Sequence, residues 1–129
     1  MKKAQPEYEL QKSICSYLKL QFPKALFMSD TIAQIKLTFG QQMRNKNIQK
    51  EGFHCPDLLI FVPKGDYHGL FLELKAKTIY KKDGTLLKND HVESQAETLR
   101  QLRLLGYCAE FAVGFDEAKL IIDNYMKLH

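Results

Sequence analysis

Two apolar runs separated by turn-forming residues constrain this chain more than anything else in it. Leu58-Leu59-Ile60-Phe61-Val62 and Leu70-Phe71-Leu72-Glu73-Leu74-Lys75 flank Pro63-Lys64-Gly65-Asp66-Tyr67-His68-Gly69. Runs this short and this apolar read as strands, and the Gly/Pro-bearing connection reads as the bend of a β-hairpin. The second run carries two charges at alternate positions, Glu73 and Lys75. Residues two apart on a strand share a face, so these two point the same way as Phe71, while Leu70, Leu72 and Leu74 point into the opposite layer.

The rest of the chain supplies cover for such a sheet. Across residues 7–20, Leu10, Ile14, Tyr17 and Leu18 recur at helical spacing, after a Pro6 that a first turn tolerates and before Phe22-Pro23. Ala25 to Met28 predicts a short strand. Residues 30–52 are polar and basic, with a short helix expected near 41–50 that Gly52 closes. Residues 76–89 predict a lysine-rich loop turning at Asp83-Gly84. A helix follows, with Asp90 as N-cap and Glu93 in the reciprocal capping position. Its core face carries Leu99, Leu102 and Leu105, and Gly106 ends it. Residues 107–113 predict a further strand, and Asp116 to about Lys127 a last helix burying Ala118, Ile121, Ile122 and Tyr125. This order predicts a single α/β domain over 1–129, with a mixed sheet around a central hairpin and helices flanking it.

At 129 residues there is room for one core. Cys15, Cys55 and Cys108 are odd in number, and no two have the spacing of a zinc knuckle or redox pair, so a reducing, intracellular, cytoplasmic setting is expected. The start, Met1-Lys2-Lys3-Ala4-Gln5-Pro6-Glu7, lacks the apolar stretch of a secretory signal. The longest uncharged apolar run, Leu58 to Val62, is far too short for a bilayer, and no membrane partner is expected. No phosphate-cradling glycine loop and no Ser/His/Asp set occurs, which argues against a nucleotide cofactor and against covalent catalysis. His54, His68, His91 and His129 are scattered, and a loop or core role suits them better than metal ligation.

The net charge of +4 implies little, but its distribution implies more. Lys36, Arg44, Lys46 and Lys50 fall between Thr31 and Lys50 with no acid among them. Lys75, Lys77, Lys81, Lys82 and Lys88 follow with Asp83 as the one acid. Two such stretches read either as solvated loops or as a surface that faces a polyanion.

Glu-x-Lys occurs twice, at Glu73-Leu74-Lys75 and at Glu117-Ala118-Lys119. The second pair lies on a helix, where residues two apart diverge. The first lies on a strand and converges. With the hairpin turn centred near Asp66, position 57 falls across from about position 75, which puts Asp57 at the strand end beside Glu73 and Lys75. Two carboxylates held roughly 4 Å apart repel by about 1 kcal/mol in water and about four times that near a protein surface. A divalent cation removes the conflict, and hard oxygen ligands suit magnesium or manganese. The plainer alternative is a lysine bridging two surface acids.

Pro56-Asp57, fifteen intervening residues and then Glu73-Leu74-Lys75 resembles the PD-(D/E)xK motif of restriction-endonuclease-like nucleases. The stretches Pro56-Asp-Leu-Leu-Ile-Phe-Val-Pro and Gly69-Leu-Phe-Leu-Glu-Leu-Lys-Ala look like its VRR-NUC branch. Gln95 with Leu99 and Leu102, Gly106-Tyr107, and the helix after Asp116-Glu117-Ala118 agree, so the resemblance spans essentially the whole chain as one stand-alone domain. Members often have a glycine just ahead of the Pro-Asp pair, where this chain has His54-Cys55. The resemblance implies that Asp57, Glu73 and the Leu74 backbone carbonyl bind Mg2+ or Mn2+. It implies that Lys75 orients or deprotonates the attacking water, and that Gln95 positions Lys75 or the phosphate. It also implies an acid on the first helix, reaching the metal directly or through water. Glu7 shares the inward face of Leu10 and Ile14 whereas Glu9 does not, so Glu7 is the better candidate, with Gln11 one turn on. Complementing the helix N-terminus is its plainer role.

The expected function is that of a metal-dependent DNA endonuclease acting on branched, flapped or four-way-junction DNA. Its backbone contacts would come from Lys36, Arg44 and Lys46 on one flank and Lys77, Lys81 and Lys82 on the other. Stand-alone relatives look like dimeric junction resolvases, so a homodimer is expected. The alternatives are a nucleic-acid-binding module without turnover and an RNA or nucleotide phosphodiesterase.

Overall fold

The computed structural model describes residues 6–30 and 35–129. The first basic stretch therefore lies within the described residues from Ile35 onward, and its opening at 31–34 lies outside them. The elements are α1 (Pro6–Gln21), β1 (Phe27–Ser29), α2 (Phe39–Ile48), β2 (Leu58–Ile60), β3 (Leu70–Lys75), α3 (Asp90–Leu104), β4 (Cys108–Val113) and α4 (Gly114–Met126). Four strands form one sheet in the order β1-β2-β3-β4. The first two pairings are antiparallel and β3–β4 is parallel, the mixed sheet that the sequence predicts.

Alternation along β3 divides the core in two. Leu70, Leu72 and Leu74 pack with Leu10, Ile14 and Leu18 of α1 and with Ala118, Ile122 and Tyr125 of α4. Phe71 points the other way and packs with Leu99 and Leu102 of α3 and with Ala109. A fully buried leucine contributes roughly 1.5–3 kcal/mol, so the first layer is the larger source of stability. Tyr17 and Ile121, expected in the core, are half-buried at its edge.

The hairpin register differs from its expected value. Leu58 pairs with Leu72 and Ile60 with Leu70, so position 57 is level with 73 and not with 75. A turn centre one residue earlier moves every partner by two, which leaves each side chain on its own face. β2 also stops at Ile60, two residues early. There the Phe61 N–H turns to the Leu26 carbonyl at 2.9 Å. The Val62 carbonyl accepts the Tyr125 hydroxyl at 2.6 Å.

Two helix ends depart from expectation. The N-cap of α3 is Asn89, not Asp90: its side chain accepts from the backbone N–H of His91 and Val92. Asn89 is the residue with extended backbone (φ −153°, ψ 121°), and Asp90 and Glu93 sit in the first turn, where their charge complements the helix dipole. Leu105 is not in the core. It is the C-cap, so it has left the helical phase that carries Leu99 and Leu102 inward. Gly106 follows at φ +96°, the left-handed ending its type favours.

α2 is the least anchored element, with no buried residue. A reciprocal capping box joins Thr38 and Gln41, an arrangement worth about 1 kcal/mol that the sequence reading did not single out. No helix among the described residues is long and apolar enough to cross a membrane.

Candidate active site

The antiparallel ladder of β2 and β3 sets Asp57 level with Glu73, and β3 carries Lys75 one step beyond. All three line one cavity of about 690 Å3, together with Glu7, Leu74 and Gln95. Every residue expected to bear on the chemistry is therefore in one place.

Asp57 is 8% exposed and Glu73 4% exposed, although both are acids at the end of an apolar sheet. One oxygen of Asp57 accepts the Leu74 N–H at 2.8 Å, which fixes the carboxylate against β3. Its backbone carbonyl is held equally well. It accepts from the Asp30 N–H at 2.9 Å, the Gln11 amide at 3.1 Å and the Ser29 hydroxyl at 3.3 Å. Gln11 also donates to the Ser29 hydroxyl at 2.6 Å and to the Asp30 carbonyl at 2.7 Å. This buried amide thereby ties α1, the end of β1 and the start of β2 into one rigid corner.

Burial, and then the hydrogen-bonding and charge of Asp57, raise the pKa of Glu73 far above the ordinary carboxylate range, while Lys75 opposes the shift. Lys75 is only partly buried, and among the described residues the ion pairs are Arg100–Glu97 and Lys119–Asp123, neither of which includes it. The reading of a lysine bridging two surface acids is thus overturned, because the acids are buried and the lysine is not paired with them. A second signal comes from Gln95. It is 6% exposed, and its Oε1 has no hydrogen-bond partner among the described residues. A buried acceptor of this kind costs about 1–3 kcal/mol unless a donor meets it.

The donor chemistry fits a hard divalent cation. Among the described residues no three His, Cys, Asp or Glu side chains form a metal-holding group by themselves. Magnesium does not need one, since it is commonly held by one or two carboxylates with waters and phosphate oxygens completing the shell. Asp57 and Glu73 are two such carboxylates, and their mutual repulsion is the conflict that a cation relieves.

Glu7 is half-buried while Glu9 is exposed, as helical phase predicts. Both oxygens of Glu7 accept the Ala76 N–H, each at 3.1 Å. Glu7 thus anchors the chain where it leaves β3, one residue beyond Lys75, a role not foreseen for it. His54-Cys55, where relatives often have glycine, adopts no strained backbone, since among the described residues only glycines have positive φ. Burial first, and then the charges of Asp30, Glu73 and Asp57, push the Cys55 thiol up to about 11.

Two residues of the site were not identified from sequence. Asp30 follows β1 and lines the cavity with the other acids. Its signal was an acid at the tip of a short apolar run. Gln11 was noted only as a neighbour of Glu7, though an amide on the apolar stripe of α1 is the mark of a buried polar anchor. The basic residues Lys36, Arg44, Lys46, Lys77, Lys81 and Lys82 are all exposed. Arg44 and Lys46 flank Asn45, which lines the cavity, and Lys77 is two residues beyond Lys75.

The layered mixed sheet, with an Asp-Glu-Lys set at the end of its central hairpin, defines a restriction-endonuclease-like α/β domain. A solved structure of a "VRR_NUC domain protein" is 26% identical to this chain at a TM-score of 0.66, over 98% of this chain and 93% of that one. The chain is thus similar to a VRR-NUC domain over nearly its whole length and has the fold of a nuclease family. No protein-family model matches it, and no curated protein matches it.

Proposed function

We propose that this protein is a magnesium- or manganese-dependent endonuclease that hydrolyses phosphodiester bonds in branched, flapped or four-way-junction DNA. The observation that carries the reading is the pair of buried carboxylates, Asp57 and Glu73, sharing a cavity with the Lys75 ammonium, which forms an ion pair with neither. A binding module gains nothing by burying two acids where phosphates must approach.

Asp57 and Glu73 would hold the cation, with the Leu74 carbonyl as a third oxygen. When bound, the ion would supply a water of lowered pKa and polarise the phosphoryl oxygen. Asp57 does not swing, because the Leu74 N–H fixes one oxygen and Gln11 fixes its backbone. The Lys75 ammonium steadies the charge that develops on the non-bridging phosphate oxygens and orients the attacking water. Gln95 Oε1 is an acceptor, so it suits a water or the Lys75 ammonium and not a phosphate oxygen; only its amide nitrogen suits the phosphate. Glu7 keeps the Ala76 backbone, and with it Lys75, in register. Lys36, Arg44 and Lys46 on one flank and Lys77, Lys81 and Lys82 on the other hold the DNA backbone. A two-fold dimer supplies the second cut that a four-way junction needs.

The test is cleavage of matched linear, flapped and four-way DNA, and of RNA of the same sequence, with magnesium, with manganese and with chelator. Cleavage of branched DNA that chelator abolishes is the expected result. Activity that survives chelator, or that falls on RNA alone, removes the reading. Light scattering on the junction-cutting species checks the dimer, and a 15.0 kDa species with full junction activity defeats it.

A further inference from the structure

Part of the cavity wall has no task in this chemistry. Asn45 of α2, Gln49 at its C-cap, Phe53 and His54 beyond it, and Met28 of β1 all line the space that holds Asp57, Glu73 and Lys75. They differ in kind from the acids and lysines around them, being two amides, two aromatic rings and a thioether.

The amides are pre-ordered. Asn45 and Gln49 stand one helical turn apart, and the Gln49 amide nitrogen donates to the Asn45 side-chain oxygen at 3.0 Å. That bond leaves the Asn45 amide N–H2 as a donor and the Gln49 oxygen lone pairs as an acceptor, on two residues that both line the cavity. Adjacent donor and acceptor is the pattern that reads the edge of a nucleobase. Phosphate does not need it, because phosphate offers acceptors only.

The rings point to the same ligand. Phe53 is 40% exposed and Met28 51% exposed, although both border a space lined with charges. Apolar faces there gain nothing from a phosphate, but a base has a π-face to lay against them. His54 extends the aromatic wall and meets the His91 ring edge-on, with centroids 6.1 Å apart. Arg44 and Lys46 leave α2 about 100° to either side of Asn45 and so flank the amide row with phosphate-binding charge. α2 has no buried residue, so its place beside the cavity is not explained by packing. The space, about 690 Å3, is within the range of pockets for small ligands and exceeds what the acids and a phosphate require.

We infer that Asn45, Gln49, Phe53, His54 and Met28 form a pocket for one unpaired nucleobase of the strand whose phosphate lies at Asp57, Glu73 and Lys75. The inference rests on the nuclease reading and extends it by naming the feature that selects the substrate. A base at the foot of a flap or branch enters without being unstacked, whereas a paired base must first be drawn out of the duplex.

The test uses two DNAs that differ only in whether the nucleotide next to the cut phosphate is paired. The fluorescent base 2-aminopurine stands at that position for binding measurements with calcium in place of magnesium. The wild-type protein is expected to cut the unpaired substrate at least tenfold faster and to quench the aminopurine on binding. Phe53→Ala is expected to lose about tenfold on the unpaired substrate and to lose the quench, and Phe53→Trp to keep both. Asn45→Ala with Gln49→Ala is expected to flatten the dependence of rate on which base is unpaired. Wild-type preference and quench persisting in Phe53→Ala would overturn the pocket while leaving the nuclease standing. Quenching that depends on Phe53, without cleavage of any DNA, would uphold the pocket and remove the nuclease reading instead.

Discussion

The end of the β2–β3 hairpin and the helix α2 border the same cavity and are built on opposite terms. At the hairpin end, Asp57 and Glu73 are buried, and a backbone N–H, a neighbouring strand and the Gln11 amide hold the corner in place. α2 has no buried residue, and its capping box is local, joining Thr38 to Gln41 at the helix start. The difference teaches where a fold spends its rigidity. Groups that must meet a reacting phosphate within fractions of an ångström sit on strands inside the core. Groups that would meet a long polyanion along its backbone, as proposed for Arg44 and Lys46, tolerate an element with fewer buried contacts, because electrostatic attraction acts over several ångströms.

The sharpest break of this comparison lies at the rigid end. Asp57→Ala, Glu73→Ala and Lys75→Ala are each expected to lower single-turnover cleavage by about 10²–10³-fold or more, while gel-shift affinity for DNA survives. Full cleavage by the Glu73 variant would leave the buried pair without a catalytic purpose. Next in size is the first helix. Glu7→Gln is expected to slow cleavage about tenfold, because a carboxamide holds the Ala76 N–H less strongly than a carboxylate and Lys75 loses its register. Glu9→Gln, on an exposed position, is expected to match wild type. Equal rates for the two variants would mean that the Glu7–Ala76 contact does not reach the chemistry.

On the loose side, replacing Arg44 and Lys46 together by alanine is expected to weaken DNA binding severalfold for all sequences alike. The salt dependence of the affinity should flatten by about one unit per lost phosphate contact. An unchanged slope returns these side chains to the solvent. The smallest effect expected is on stability. The raised pKa of Glu73 means that the folded state holds a proton the unfolded chain has lost. That contribution is fully present below the ordinary glutamate pKa and is lost as pH rises toward the folded value. Metal-free protein should therefore lose a few degrees of Tm between about pH 5 and pH 9, and Glu73→Gln should show a flatter profile. A wild-type Tm that rises across this window would reverse the assigned sign.

Local chemistry explains what the sequence made legible. Alternation along residues 70–75 separates Phe71, Glu73 and Lys75 from the leucines, and helical phase separates Glu7 from Glu9. These are periodicities of the backbone itself, so they survive whatever packs against them. The Asp-Glu-Lys set was legible for the same reason, since two runs joined by turn residues must pair. Other features follow from distance and not from phase. Asp57 faces Glu73 and not position 75 because the turn is centred one residue earlier, a shift that leaves every side chain on its own face and so is invisible to periodicity. Asp30 joins the acids because β1 pairs with β2, a choice among possible neighbours that three residues of strand do not announce. The unpartnered oxygen of Gln95 and the three bonds of the Gln11 amide depend on atoms 18 or more residues away in the chain. Periodicity assigns each residue a face. Only long-range packing decides which other residues that face will meet, and so which polar groups are left waiting for a partner.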